Sequence, residues 1–274
     1  MNGTSELRDI DFERISRLVY ELCGINLHAG KKELVKARLN KRLREGNFRS
    51  FEQYFKYVAT KEGSDELINM IDSLSTNLTS FFREEKHFHK LREILPEMAG
   101  SSSHRRIRVW CAGCSTGEEP YSLAITLKEA LKDLGQGADL KITATDISTR
   151  VLKTAVAGIY SGDRVKKIPQ SLLRKYFQIG HGKWQGNYRV KKDLKNMVEF
   201  MRFNLMESPS FNDLFDIIFC RNVMIYFDKE TQGKLIDRFY KCLGGKGWLF
   251  IGHSESLTGL NHSFKYIEPS VYRK

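Results

Sequence analysis

Apolar positions in the first hundred residues recur at helical spacing, whereas from residue 107 onward they gather into short runs. In DFERISRLVYELCG, Phe12, Ile15, Val19 and Leu22 fall on one stripe, and Gly24 follows as a C-terminal stop. KKELVKARLNKRLRE puts Val35, Leu39 and Leu43 on one face and Lys36, Arg38, Lys41, Arg42 and Arg44 largely elsewhere. SFEQYFKYV opens with Ser50 and Gln53 in capping-box spacing. SDELINMIDSLS and REEKHFHKLREILPEMA complete the set, with Pro96 and Gly100 expected to close the last. The pattern predicts an all-helical N-terminal domain over residues 1–99, then a small polar linker, GSSSHRR, at 100–106.

Beyond the linker the period changes. IRVWCAG, LKITATDIS, VEFMRFNLM, FDIIFCRN and GWLFIGHSE are apolar or β-branched runs separated by helix-like or turn-like sequence. That alternation predicts an α/β domain over 107–274, a parallel sheet covered by helices. IGHGKWQGNYRVKKDL interrupts it, and its glycines and aromatics predict a small basic antiparallel β-subdomain inserted at about 178–200.

Composition narrows the class. The chain has 274 residues, 41% hydrophobic and 28% charged, which suits a soluble protein with ample core. MNGTSELRDIDFER carries no apolar run, and nothing approaches the roughly 18 residues of a membrane span, so neither a signal peptide nor a span is expected. Five scattered cysteines (Cys23, Cys111, Cys114, Cys220, Cys242) fit reduced thiols and a cytoplasmic location. The net charge of +12 is unevenly spread. Residues 31–49 hold eight Lys/Arg against Glu33 and Glu45, and residues 150–202 hold thirteen against Asp163, Asp193 and Glu199. Two basic surfaces imply an acidic macromolecular partner, either nucleic acid or an acidic protein.

The candidate chemistry starts at VWCAGCSTGEEPYS. Its C-x-x-C has the spacing of a redox dithiol or half a zinc site, but no second pair at zinc spacing and no thioredoxin-like pattern accompanies it. A strand, a glycine-containing turn and a helix form instead the usual entry to a nucleotide-binding α/β sheet. The loop lacks the Lys-Ser/Thr of a phosphate-binding P-loop and is not G-x-G-x-x-G. Glu118 and Glu119 would repel phosphate, whereas an amine, a sulfonium or ribose hydroxyls would suit them. S-adenosylmethionine offers all three. Asp146, after the next strand in ATDIS, is placed to accept from both ribose hydroxyls, or to cap the following helix. RFNLM and CRNVMIYF end two further strands, bringing Asn204, Leu205, Arg221, Asn222 and Tyr226 to the same sheet edge. Asparagine can read an adenine edge and leucine cover its face. The chain lacks the Asn/Asp-Pro-Pro-Tyr run that holds a flipped base amine, which argues against N-methylation of nucleic acid.

STNLTSFFRE, AGCSTGEEPYS, ATDIS, FNLM, IIFCRNVMIYFD and GHSES, in this order, closely resemble the chemotaxis-receptor glutamate O-methyltransferase family, CheR. The resemblance covers essentially the whole chain. It implies a Rossmann-like S-adenosylmethionine-dependent methyltransferase domain with an inserted small antiparallel β-subdomain, preceded by an all-α domain. It implies methyl transfer to glutamates on the cytoplasmic helices of chemoreceptors, giving glutamate methyl esters and S-adenosylhomocysteine for sensory adaptation. Carried over by motif, Asn77, Thr79 and Arg83 line the cofactor pocket, Glu118 contacts the methionine portion and Asp146 the ribose. Asn204 and Leu205 surround the adenine, and Arg221 and Asn222 finish the pocket. Tyr226 sits near the transferring methyl, and Arg83 and Tyr226 are the catalytic candidates. Lys36, Arg38, Lys41 and Arg42 become the docking face for acidic receptor helices, and the β-subdomain a seat for a receptor C-terminal peptide. No metal is expected: His87 and His89 form an H-x-H on a helix and point to different faces, and His253 in GHSES reads as a structural turn. Two other classes compete with this reading, a nucleic-acid methyltransferase and a cofactor-binding adaptor without catalysis.

Overall fold

The computed structural model describes residues 5–75, 77–99, 106–132, 139–209 and 211–274, with the backbone alone at Ala99. The expected linker lies outside the described residues apart from Arg106, which opens the first strand. The chain forms two compact units, one of Met1–Thr76 with Tyr226–Thr231 and one of Asn77–Ile225 with Gln232–Lys274.

The first unit is helical: α1 (Asp9–Cys23), α2 (Lys32–Glu45), α3 (Phe51–Val58) and α4 (Ser64–Leu74). The stripes bury as their spacing dictates, with Ile15, Val19, Val35, Leu39, Leu43, Tyr54 and Met70 all inside. Gly24 ends α1 with its N–H on Tyr20 O at 2.8 Å. Ser50 Oγ caps α3 by accepting from Gln53 N at 3.1 Å, but Gln53 Oε1 reaches back to Arg49 N, one residue before the cap. A distant segment completes this unit: Asn26 N donates to Tyr226 O at 2.8 Å, and the Tyr20 hydroxyl donates to Asp228 Oδ2 at 2.6 Å.

The division falls after residue 76, not after 99 as the helical pattern suggests. The next helix, α5 (Glu85–Ala99), sends Phe88, Leu91 and Leu95 into the core of the sheet, so its apolar stripe serves the second unit. Pro96 lies within α5 and does not close it.

The second unit continues with β1 (Arg106–Ala112), α6 (Glu118–Leu131), β2 (Asp139–Asp146), α7 (Thr149–Ala157), β3 (Ile159–Ser161), α8 (Gly162–Val165), α9 (Gln170–Tyr176) and β4 (Phe177–Ile179). There follow β5 (Asn187–Val190), α10 (Lys192–Lys195), β6 (Val198–Arg202), β7 (Phe215–Cys220), α11 (Lys229–Cys242), β8 (Leu243–Ile251), β9 (Lys265–Glu268) and β10 (Val271–Arg273). Seven strands make one sheet in the order β6-β2-β1-β7-β8-β10-β9. The five apolar runs of the sequence supply β1, β2, β6, β7 and β8, all parallel; β10 and β9 add an antiparallel edge. Val109 sits between Ile142 and Ile217, both wholly buried. The chain runs outward from β1 to β2 and β6, then returns to β7 on the other side, so the β1/β7 crevice is the topological switch point where such sheets bind ligands.

The inserted sheet is antiparallel, in the order β3-β5-β4, and spans 159–190 rather than 178–200. It recruits β3 from before the hairpin, Tyr160 facing Tyr188, whereas β6 pairs parallel with β2 and belongs to the large sheet.

Candidate active site

At the end of β1 the chain turns sharply. Ser115 has φ 49° and Gly117 φ 96°, and a Cβ on Gly117 would lie 2.9 Å from Ala155 Cβ, so glycine is needed both for the backbone and for the approach of α7. Gly113 and Cys114 both donate their N–H to Thr145 O, at 2.8 and 2.9 Å, which folds the turn against the end of β2. Asp146 closes β2, nearly buried, and its Oδ2 accepts from Ser115 N at 2.8 Å while Oδ1 accepts from Ser148 N at 2.9 Å. A carboxylate has roughly four acceptor positions, the number a site for a vicinal diol calls on.

Glu118, in the first turn of α6, is wholly buried, accepts from Thr116 Oγ1 at 2.7 Å and pairs with Arg164 Nη2. Burial raises its pKa, against the pull of Thr116 and Arg164. Glu119 points toward the sheet, where the Cys111 thiol donates to Oε1 at 3.1 Å and Arg221 Nη1 stands 3.3 Å from Oε2. Burial also raises Glu119, with Arg221 the main opposing influence. Cys111 and Cys114 are buried free thiols whose pKa burial pushes well up, the opposite of an activated dithiol.

Across the switch point, β7 delivers Arg221 and Asn222. The Arg221 side chain is 0% exposed, stands 3.3 Å from Glu84 Oε2 and donates to Arg83 O at 2.5 Å. Its guanidinium carbon lies 5.6 Å and 5.9 Å from the ring centres of Phe88 and Phe219. Asn222 has φ 58° and is held by two glutamates that the sequence reading passed over. Its side-chain amide donates to Glu84 Oε1 at 3.2 Å and its backbone N–H to Glu255 Oε2 at 3.0 Å. Both glutamates lie in quoted strings, TSFFRE and GHSES, but a carboxylate serving a neighbouring loop leaves no periodic signal. Beside them His87 is buried with neither ring nitrogen hydrogen-bonded, and burial, then Arg221, pushes its pKa down to about 3. Glu84, His87 and His253 bring potential metal-ligand atoms within 4.8 Å of one another. Glu84 Oε2 is already shared by Arg221 and the His253 N–H, so a cation would compete there with a buried guanidinium.

The remaining candidates are placed as follows. Asn77 O accepts from Ser115 Oγ at 3.0 Å, which brings the TNLTSFFR segment to the turn after β1. Thr79 is partly buried, and the half-exposed Arg83 folds back, Nη1 on Leu78 O at 2.8 Å. Asn204 Oδ1 accepts from Met206 N at 3.0 Å, and Leu205, beside it, is buried. Tyr226 falls in the helical unit, with the Lys31 ammonium 5.6 Å from its ring centre. Among the four docking candidates, Arg38 caps α4 by donating to Leu74 O at 2.6 Å, and Arg42 grips Glu66 with two bonds. Lys36 and Lys41 form only loose pairs with Glu33 and Glu45, at 3.9 and 3.8 Å.

The residues gathered at the switch point are acceptors suited to an ammonium group and a ribose, and their donor set fits S-adenosylmethionine. Comparison with known proteins agrees. The family model described as CheR methyltransferase, SAM binding domain, matches residues 77–273, and the CheR methyltransferase all-alpha domain matches residues 10–75. The chemotaxis protein methyltransferase of Borreliella burgdorferi is 43% identical over 270 residues, covering 96% of this chain and 94% of that one. Chemotaxis protein methyltransferase 2 of Pseudomonas aeruginosa is 41% identical over 263 residues, 96% and 92% of the two chains. That of Salmonella typhimurium is 43% identical over 267 residues, 97% and 90% of the two chains.

Proposed function

Because the chain belongs to the CheR methyltransferase family, and so is an S-adenosylmethionine-dependent methyltransferase, we propose that it esterifies glutamate side chains on the cytoplasmic helices of chemoreceptors. Glutamate methyl esters and S-adenosylhomocysteine are the products, and sensory adaptation is the purpose. The observation that carries this reading is the pair of carboxylates, Glu118 and Asp146, set around one strand-to-helix turn with no phosphate-binding lysine. When bound, S-adenosylmethionine supplies a methyl carbon activated by its sulfonium.

The residues of this chain bind and align. Glu118 takes the ammonium of the methionine portion, and since it is covered by Arg164, that ammonium exchanges with the guanidinium. Asp146 takes the ribose, Asn204 and Leu205 enclose the adenine, and Asn77, Thr79, Arg221 and Asn222 complete the pocket. An acceptor glutamate with pKa about 4.3 is already ionised at neutral pH, so no residue has to remove a proton. The work left to the protein is alignment and partial desolvation. Arg83 orients the substrate carboxylate loosely, since tight pairing would quench its nucleophilicity, and Tyr226 is the second catalytic candidate. Lys36 and Lys41, whose ion pairs are loose, are the better-suited docking charges for acidic helices, with Arg38 and Arg42 lending local positive charge. A cavity of about 310 Å³ on the inserted sheet, lined by Ile179, His181, Trp184 and Arg189 among others, suits a receptor C-terminal peptide. The protein acts in the cytoplasm and needs no metal for this chemistry.

The test supplies methyl-labelled S-adenosylmethionine with a receptor cytoplasmic fragment. Label should enter the receptor and be released as methanol by base. Label that resists base, or that enters nucleic acid instead, would overturn the carboxyl-methylation reading, and no transfer at all would favour a non-catalytic adaptor.

A further inference from the structure

Asn222 holds a left-handed backbone, φ 58°, a conformation asparagine tolerates but that costs energy unless its surroundings hold it. Two carboxylates from different loops do so. Glu255 Oε2 accepts the backbone N–H of Asn222 at 3.0 Å and that of Gly252 at 2.6 Å. Glu84 Oε1 accepts from Asn222 Nδ2 at 3.2 Å, while its Oε2 accepts the His253 N–H at 3.2 Å. The fit is tight on the remaining side, since a Cβ on Gly252 would stand 2.5 Å from Asn222 Nδ2. Glu84 itself has φ 57°, so the strain is matched on both partners of the bond.

An ionised carboxylate can only accept hydrogen bonds, and burial alone would push Glu84 toward its neutral form. Arg221 first, then the Asn222 amide, outweigh burial and hold its pKa below the ordinary carboxylate value. Facing such a group, the Asn222 amide can present only its NH2, and the oxygen Oδ1 is turned the other way.

Resting on the methyltransferase reading above, we propose that Glu84 is a positioning residue that fixes the Asn222 amide so that Oδ1 serves as an acceptor for donors of bound S-adenosylmethionine. Glu84 does not touch the reacting atoms. It decides which end of a neighbouring amide does.

The test measures S-adenosylhomocysteine affinity by calorimetry, together with KM and kcat, on the full chain. In Glu84→Gln the facing group offers both a donor and an acceptor, and the amide orientation is no longer dictated. Affinity should fall about fivefold to tenfold and KM for S-adenosylmethionine should rise in step, with kcat changing less. Adding Asn222→Asp restores an obligatory donor–acceptor pair with the roles exchanged and again leaves an outward oxygen, so the double variant should regain most of the lost affinity. Asn222→Ala, which needs no change at Glu84, should lose as much as Glu84→Gln. A double variant no better than Glu84→Gln, or an Asn222→Ala protein that binds like the wild type, would overturn the proposal. Wild-type protein that binds no S-adenosylhomocysteine would instead overturn the methyltransferase reading itself.

Discussion

Arg42 in α2 and Arg221 at the end of β7 each stand beside two carboxylates, yet they are held in different ways. Arg42 meets Glu66 side-on, Nε on Oε1 at 2.9 Å and Nη2 on Oε2 at 2.5 Å, with Glu45 on Nη1 and the Tyr54 hydroxyl completing Glu66. Its donors are spent on local partners. Arg221 is more deeply buried, with its charge balanced by Glu84 and Glu119, but its Nε and Nη1 make no hydrogen bond. A guanidinium whose charge is neutralised but whose donors are only partly used is a poor staple. It is well suited to a sheet edge where a ligand binds, because it fixes the positions of carboxylates and loops around it.

The largest effect should come from removing that central charge. Arg221→Met leaves Glu84 and Glu119 buried and facing each other, and should cost about 3–5 kcal/mol in denaturant unfolding, with methyl transfer lost. A variant as stable as the wild type would show that Arg221 is no keystone. A second test asks whether His87 belongs to the charged cluster or to the apolar core around Phe219 and Phe250. Its pKa is pushed from 6.5 to about 3, so below pH 6.5 the unfolded chain takes up a proton that the folded chain refuses. Stability from this group is therefore lost progressively as pH falls from 6.5 toward 3. His87→Leu should match the wild type at pH 7.5 and exceed it by on the order of 2 kcal/mol at pH 5; parallel stability profiles would place His87 with the charges. The smallest effect is expected at Arg42. Arg42→Met should cost about 1 kcal/mol of stability and leave S-adenosylhomocysteine affinity unchanged. An affinity loss there would erase the contrast between the two arginines.

Much of this arrangement was legible beforehand, and what was not has physical reasons. The five apolar runs became five parallel strands, and for the inner ones, β1, β7 and β8, the reason is burial on both faces, a signal that survives without alternation; β6, at the edge, buries only Val198 of its five residues. β9 escaped notice because an exposed edge needs no such run: Tyr266 is 58% exposed, and KYIE has no buried residue. β10 buries Val271 and Tyr272 but is only three residues long, too short to show a period. β3 is three residues long and gains its identity only by pairing with β5. The assignment of α5 to the first domain followed from its helical period, which specifies a stripe but not the surface that covers it. At the site, the turn after β1 and Asp146 declared themselves by motif and spacing. Glu84, Glu255 and Arg164 did not, since each acts on a residue at least 30 positions away, and such pairings are settled only by the folded chain.

The bond between Tyr20 and Asp228 spans 208 positions, and with Asn26 and Tyr226 it ties the earliest helices to a late segment. During synthesis the first four helices emerge long before that partner. At roughly 5–20 residues per second, Tyr20 waits on the order of 10–40 s for Asp228, and the end of α4 on the order of 8–30 s. The helical unit is thus the first to be made and among the last to be finished, and a chain released early would carry it incomplete.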